Sequence, residues 1–296
     1  MTARFFLFCL FLFGAVPAAA QGLPAPQNFP LWENGAPGTT AARRGEAEMA
    51  QDYWVRNVHN PSVTVFPADP RNANGASVVV IPGGGHRLIV WTTEGTAVAQ
   101  ALNRMGITVF VLKYRLAREE GSTYSIEGDA AADARRAIRF VRANAGRYGL
   151  DPARVGVMGF SAGGELVSMI ADNRPAAAET VRDAVDRQSA RPDFQILVFP
   201  GPLGVPGNAV EGAPPAFLIS GSLDECCAAP TVALYEQLRR AGVSAELHMY
   251  ANAGHAFNLG EQSNQLAILH WPERLHDWMS DSGFLTWRAP SAANPR

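Results

Sequence analysis

The stretch Arg154-Val-Gly-Val-Met-Gly159-Phe-Ser161-Ala-Gly163-Gly164 decides how this chain reads. An apolar run of strand character enters Gly-x-Ser-x-Gly, and a stretch of helical character follows over 162–172. That order describes a serine raised on a sharp strand-to-helix turn, its hydroxyl exposed at the top of a sheet. Glycines two residues to either side leave room for the turn and for close packing. The helix behind it turns its partly positive N-terminus on the same spot, which favours a developing oxyanion. Small-residue loops produce Gly-x-Ser-x-Gly by chance; the strand–turn–helix context sets this one apart from a tight structural turn.

Outward from Ser161, apolar β-branched runs alternate with stretches of helical period. Strands are expected over 53–58 and 62–66 as a leading pair, then over 77–81, 107–112, 154–158, 194–199, 216–220 and 245–250. Helices are expected over 95–105, 127–147, 162–172, 230–241 and 264–279. In the clearest of them Ala130, Ala134, Ala137, Ile138 and Val141 share one face, with Arg135, Arg139 and Arg142 turned away. Near-continuous apolar strands alternating with helices imply a mostly parallel sheet covered on both faces. Active sites of such sheets lie beyond the carboxyl ends of the strands.

The other chemical signals fall at those ends. Val78-Val-Val-Ile81-Pro-Gly83-Gly84-Gly85-His86 puts a glycine loop after an early strand. Backbone N–H groups there can approach a substrate oxygen with no Cβ in the way. The N–H groups of Gly84, Gly85 and Ala162 are the expected oxyanion donors, each worth about 3–4 kcal/mol to a transition state. A phosphate-cradling loop is the competing reading, but no Lys-Ser/Thr follows and the spacing is not that of a dinucleotide fingerprint. An acid and a histidine should come later in the chain, in that order. Asp224 follows the apolar run 216–220, and His255 stands in a glycine loop after 245–250. Asp224 would orient His255, and His255 would take the proton of Ser161. Glu225 competes as the acid. His248 lies inside a strand, and His270 and His276 lie in the last helix. His86 precedes the serine and, with Glu165, is a candidate for the substrate pocket.

Composition bounds the rest. The chain has 296 residues, 47% hydrophobic and 18% charged, enough for one domain with a full core. A net charge of −2 gives no electrostatic case for nucleic acid or an anionic membrane. No histidine sits in a metal-motif spacing, so neither a metal nor a cofactor is expected. Arg4, the apolar run 5–16 and Ala18-Ala19-Ala20 read as a cleaved export signal over 1–20. The run is shorter than the ~20 residues of a spanning helix, so no membrane partner is expected once it is removed. An extended, Pro/Gly-rich arm over 21–50 and a catalytic domain over 51–296 complete the layout, and the protein is expected in the periplasm or outside the cell. Cys9 leaves with the signal. Cys226 and Cys227 are adjacent, which leaves a vicinal disulfide and two packed thiols as alternatives.

The chain resembles exported bacterial α/β-hydrolases related to acetyl-xylan and feruloyl esterases, sometimes described as xylanase-like. The likeness rests on Leu31-Trp-Glu-Asn-Gly-Ala-Pro-Gly38, Ile81-Pro-Gly-Gly-Gly85, Val111-Leu-Lys-Tyr-Arg-Leu116, Asp133-Ala-Arg-Arg-Ala-Ile-Arg139 and Gly156–Gly164, with Asp224 and Gly254-His255. It implies the α/β-hydrolase fold, Ser161, Asp224 and His255 as triad, and removal of acetyl, feruloyl or other small acyl groups from carbohydrate. Three positions depart from the pattern: Glu165 where histidine is usual, His86 where an aromatic is usual, and the cysteine pair after the acid. The short segment 200–215 leaves no room for a large lid, so an open cleft is expected. A general short-chain carboxylesterase is the first rival. A serine exopeptidase would carry a large extra domain, and a non-catalytic binding protein would lack a triad member.

Overall fold

The computed structural model describes residues 25–172, 180–206 and 212–285. The expected export signal lies outside them. The strands are β1 (Gln27–Pro30), β2 (Met49–Gln51), β3 (Trp54–Arg56), β4 (Ser62–Phe66), β5 (Ser77–Ile81), β6 (Ile89–Val90), β7 (Thr108–Lys113), β8 (Val155–Phe160), β9 (Phe194–Val198), β10 (Ala216–Gly221) and β11 (Ala245–Tyr250). The α-helices are α1 (Ala41–Arg44), α2 (Ala97–Arg104), α3 (Ala131–Ala143), α4 (Ala145–Tyr148), α5 (Ala162–Ala171), α6 (Ala228–Arg240), α7 (Leu266–Leu269) and α8 (Trp271–Asp281).

Eight strands form one sheet in the order β1-β4-β7-β5-β8-β9-β10-β11. β1, β4 and β7 pair antiparallel; every pairing from β7 to β11 is parallel. Alternation along each strand sorts the apolar side chains onto two faces. Val79 and Ile81 point into a core with Ala134, Ile138, Leu166 and Leu234, from α3, α5 and α6. Val78 and Val80 point into the other, with Val98 and Leu102 of α2 and Trp271, Leu275 and Trp278 of α8. Each fully buried large side chain contributes roughly 1.5–3 kcal/mol, which offsets the entropy of ordering the chain.

Several elements differ from the sequence expectation. Residues 53–58 do not pair with 62–66: β3 belongs to a separate small sheet, β2-β3-β6. The helix expected over 127–147 opens with a wide turn at Ile126–Ala130 and breaks at Asn144, just before Ala145-Gly146. Asparagine and glycine are poor helix formers, so the break is cheap there. The helix expected over 264–279 breaks at His270, because Pro272 has no N–H to continue the ladder.

The arm is more than extended chain. β1 adds an edge strand to the main sheet, and Leu31–Gly38 is clasped by two buried arginines. Arg115 donates to Pro37 O and to Asp133, Trp32 Nε1 donates to Asp133 Oδ1 at 3.2 Å, and Arg136 Nε donates to Leu31 O at 2.9 Å. The family-like motifs around Arg115 and Asp133 therefore hold structure rather than line a site.

At the opposite edge, β11 has a pairing partner on one side only among the described residues. His248 Nε2 and Glu246 Oε1 lie 2.7 Å apart there, and Arg274 Nη2 of α8 lies 3.3 Å from the same oxygen.

Candidate active site

β8 ends at Phe160, and Ser161 turns the chain into α5 with φ 49° and ψ −115°. A left-handed φ at a non-glycine residue is strained, and such strain clusters at functional sites. The flanking glycines are required by contact. A Cβ on Gly159 would lie 2.3 Å from the carbonyl oxygen of Gly163, and a Cβ on Gly163 would lie 1.9 Å from that of Ile81.

The loops after β10 and β11 bring the acid and the histidine to this serine. His255 Nε2 lies 2.9 Å from Ser161 Oγ, and His255 Nδ1 lies 2.7 Å from Asp224 Oδ2. Asp224 is 3% exposed. Its other oxygen accepts from the N–H groups of Cys226 and Cys227 at 3.2 and 3.1 Å. Glu225 is exposed and has no part in this relay. The ring of Phe199 lies 4.7 Å from the imidazole and backs it.

The glycine loop faces the serine. Gly84 has φ +125° and Gly85 φ +64°, and a Cβ on Gly84 would meet Leu88 O at 2.1 Å. Among the described residues, the N–H groups of Gly84, Gly85 and Ala162 donate to no protein acceptor. Idle donors on this loop and on the residue after the serine suit a developing negative oxygen.

A family model described as BD-FAE matches residues 65–198. The chain is 30% identical over 247 residues to an acetylxylan esterase of Xylanibacter ruminicola, covering 73% of this chain and 48% of that protein. It superposes on an acetyl ester-xyloside bifunctional hydrolase from Caldicellulosiruptor lactoaceticus with a TM-score of 0.71 and 26% identity, covering 90% of this chain and all of the other. The chain has the α/β-hydrolase fold and is similar to acetylxylan esterases. An ethyl acetate hydrolase of Pseudomonas putida is 26% identical over 164 residues, covering 54% of this chain and 47% of that protein. The chain thus spans less than half the length of these curated relatives. An esterase structure from Thermogutta terrifontis, at 21% identity and a TM-score of 0.65, shares the fold.

His86 and Glu165 of this α/β-hydrolase are brought together, but not as open lining residues. His86 is fully buried and Glu165 is 6% exposed. His86 Nε2 lies 2.8 Å from Glu165 Oε2, while Glu165 Oε1 accepts from Leu203 N at 3.3 Å. The pair ties the glycine loop to the first turn of α5 and to the loop after β9. A direct meeting with substrate, the expectation above, gives way to support from behind. Burial is the reason: the Glu165 carboxylate inside the wall needs partners, and His86 Nε2 and Leu203 N supply them.

The sequence reading missed Glu94. It looks like a surface acid in Thr92-Thr-Glu-Gly-Thr96, yet it is 4% exposed and its Oε2 accepts from Gly83 N at 2.7 Å. A Cβ on Gly83 would lie 2.9 Å from that oxygen and 3.1 Å from Ser161 Cβ, so the carboxyl sits directly under the site. Burial raises its pKa from 4.5 to about 7, against the Gly83 hydrogen bond that lowers it. Its only sequence signal is its place in a wide helical turn packed on the glycine loop.

Cys226 and Cys227 are joined as a vicinal disulfide, with Cα atoms 3.7 Å apart. Donor atoms of Asp224, Cys226, Cys227 and His255 lie within 4.8 Å of one another. The sulfurs are bonded to each other and His255 Nδ1 to Asp224, so this set is already spent.

Proposed function

We propose that the protein is an exported serine esterase that removes acetyl or other small acyl groups, feruloyl among them, from carbohydrate. The observation that carries this reading is the Ser161–His255–Asp224 relay, at 2.9 and 2.7 Å, beside idle backbone donors. The names of the relatives support the acyl group and the carbohydrate. The apolar run at the N-terminus supports export, and the layout is an arm over 21–50 on a catalytic domain over 51–296.

Ser161 Oγ attacks the ester carbon while His255 Nε2 takes the hydroxyl proton. The N–H groups of Gly84, Gly85 and Ala162 receive the oxyanion. The tetrahedral intermediate collapses, the sugar alkoxide leaves with the proton held by His255, and acyl-Ser161 remains. Water then attacks the acyl carbon, gives its proton to His255, and the freed acid leaves as Ser161 regains a proton. Asp224 keeps the imidazole in the tautomer that accepts at Nε2 and stabilises the imidazolium.

The test is release of acetate and of ferulate from plant xylo-oligosaccharides by the purified protein, with p-nitrophenyl acetate alongside. Acetate release that vanishes in Ser161→Ala supports the reading. Turnover of p-nitrophenyl acetate alone would leave a general carboxylesterase. No turnover of any ester would overturn the assignment.

A further inference from the structure

Along the loop that follows His255, from Ala256 to Ser263, lies a cleft of about 370 Å³ that the chemistry above does not use. Thr93 and Ala97 form one wall; Phe257, Asn258, Glu261 and Gln262 stand on the other. We propose that this cleft is the subsite for the sugar that carries the ester, a pyranose held through its hydroxyl groups. The proposal rests on the esterase reading and says which half of the substrate goes where.

Position argues first. The departing alcohol oxygen must come within hydrogen-bond reach of His255 Nε2, because that atom returns its proton. The alcohol therefore lies on the histidine side, and the cleft wall begins at Ala256, the next residue. The opposite wall begins at Thr93, next to the Glu94 that holds Gly83. The cleft thus runs between the supports of the two halves of the site.

Chemistry argues second. Thr93, Asn258, Glu261 and Gln262 offer a hydroxyl, two amides and a carboxylate. Among the described residues, none of these four side chains hydrogen-bonds to the protein. Thr93, Glu261 and Gln262 are exposed, so their polar ends are open to a ligand's hydroxyl groups. Phe257 adds a half-buried ring, held edge-on at 5.0 Å by Phe199, which itself backs His255. An apolar face among several donors and acceptors matches a pyranose, with its carbon-bound hydrogens on one face and hydroxyls at its edge. It mismatches an acyl tail, which offers nothing to four polar groups.

The wall is also held in shape. Ala256 and Asn258 have φ of 61° and 47°, and Trp271 Nε1 donates to Asn258 O at 2.9 Å. A loop kept in left-handed backbone by a buried tryptophan presents its side chains in one arrangement, which lowers the cost of binding.

The experiment measures binding apart from turnover. Xylotriose is titrated calorimetrically into the full chain carrying Ser161→Ala, then into the same chain with Thr93→Val and Gln262→Met added, and separately with Ala97→Phe, which fills the cleft. Kd should rise about tenfold or more in each, since two lost hydrogen bonds suffice for that. With Ser161 restored, kcat/KM for acetylated xylotriose relative to p-nitrophenyl acetate should fall by a similar factor. An unchanged Kd in both variants overturns the proposal, as does an equal fall on both esters. If p-nitrophenyl acetate is turned over but xylotriose does not bind, the subsite fails while the esterase stands. If xylotriose binds, weakens in the variants, and no ester is cleaved, the subsite stands and the esterase reading falls.

Discussion

Arg115 and Asp133 grip each other through two parallel hydrogen bonds, Nε to Oδ2 at 2.9 Å and Nη2 to Oδ1 at 2.8 Å, inside the protein. Their side chains are 1% and 0% exposed. The pair also holds the arm, through Pro37 and Trp32. Removing Asp133 takes the bidentate partner from a buried guanidinium and leaves it the partly exposed side of the cluster, Asp129 at 2.8 Å. Asp133→Ala is expected to lower unfolding free energy by about 3–5 kcal/mol, read as a drop in the urea midpoint. Asp133→Asn should cost less, because it keeps an acceptor for the guanidinium. Equal stability of all three chains would show that the clasp contributes nothing.

Ser161→Ala should abolish ester turnover without shifting the unfolding transition. The residual rate can still exceed that of water by ~10³–10⁴, through the oxyanion donors and binding. Steady-state assays with p-nitrophenyl acetate check it, and near-normal activity would move the nucleophile elsewhere.

Asp224→Asn should lower kcat by about 10⁴-fold with little change in KM, because asparagine can hold the imidazole in the wrong tautomer. Glu225→Gln should be mild, since that side chain is exposed and outside the relay. The reverse order of effects would make Glu225 the acid.

The disulfide stands where Asp224 Oδ1 takes its two backbone hydrogen bonds. A mild reductant, or Cys226→Ala, should therefore lower kcat while the circular dichroism spectrum stays unchanged. A displacement of ~1 Å at such a carboxylate can cost ~10²-fold. Thiol counting on the unreduced, denatured chain gives the independent check: two free thiols would remove the basis of this prediction.

Glu94 sets a pH dependence. Its pKa is raised from 4.5 to about 7, so between those values the folded chain keeps a proton that the unfolded chain has lost. Stability is then greatest below the unfolded value and declines as pH rises through the folded one. Asp172, raised from 3.8 to about 7 by burial, acts in the same direction. Glu94→Gln keeps an acceptor for Gly83 and has no proton to lose. It should flatten the slope and gain on the order of 3 kcal/mol above pH 7, measured by urea unfolding at pH 5 and pH 8. A variant with the parent's slope would assign the dependence elsewhere.

Legibility in the sequence followed the range of the cause. Ser161 and its glycines were readable because the turn, the packing and the chemistry share a few consecutive residues. Asp224 and His255 were readable because the fold orders them after strands. Glu94 was not, since its burial depends on a loop eleven residues earlier. His86 and Glu165 were picked out for departing from a pattern, but which way they face depends on a contact across 79 positions. β3 was read as a strand but given the wrong neighbour, because pairing partners lie outside any local window. Residues 256–263 look like loop filler until the opposite wall is in place.

The charges at the rim of β11 bear on how the protein behaves at high concentration. A strand with one open side can recruit another chain, and layer after layer can grow into insoluble fibre. Here a copy trying to dock would have to strip water from Glu246, His248 and Arg274, which face one another along that rim. Exchanging Glu246 and His248 for valine and threonine would improve the strand as a strand and remove the toll on docking. The same exchange that suits local β propensity would turn a well-behaved solution cloudy.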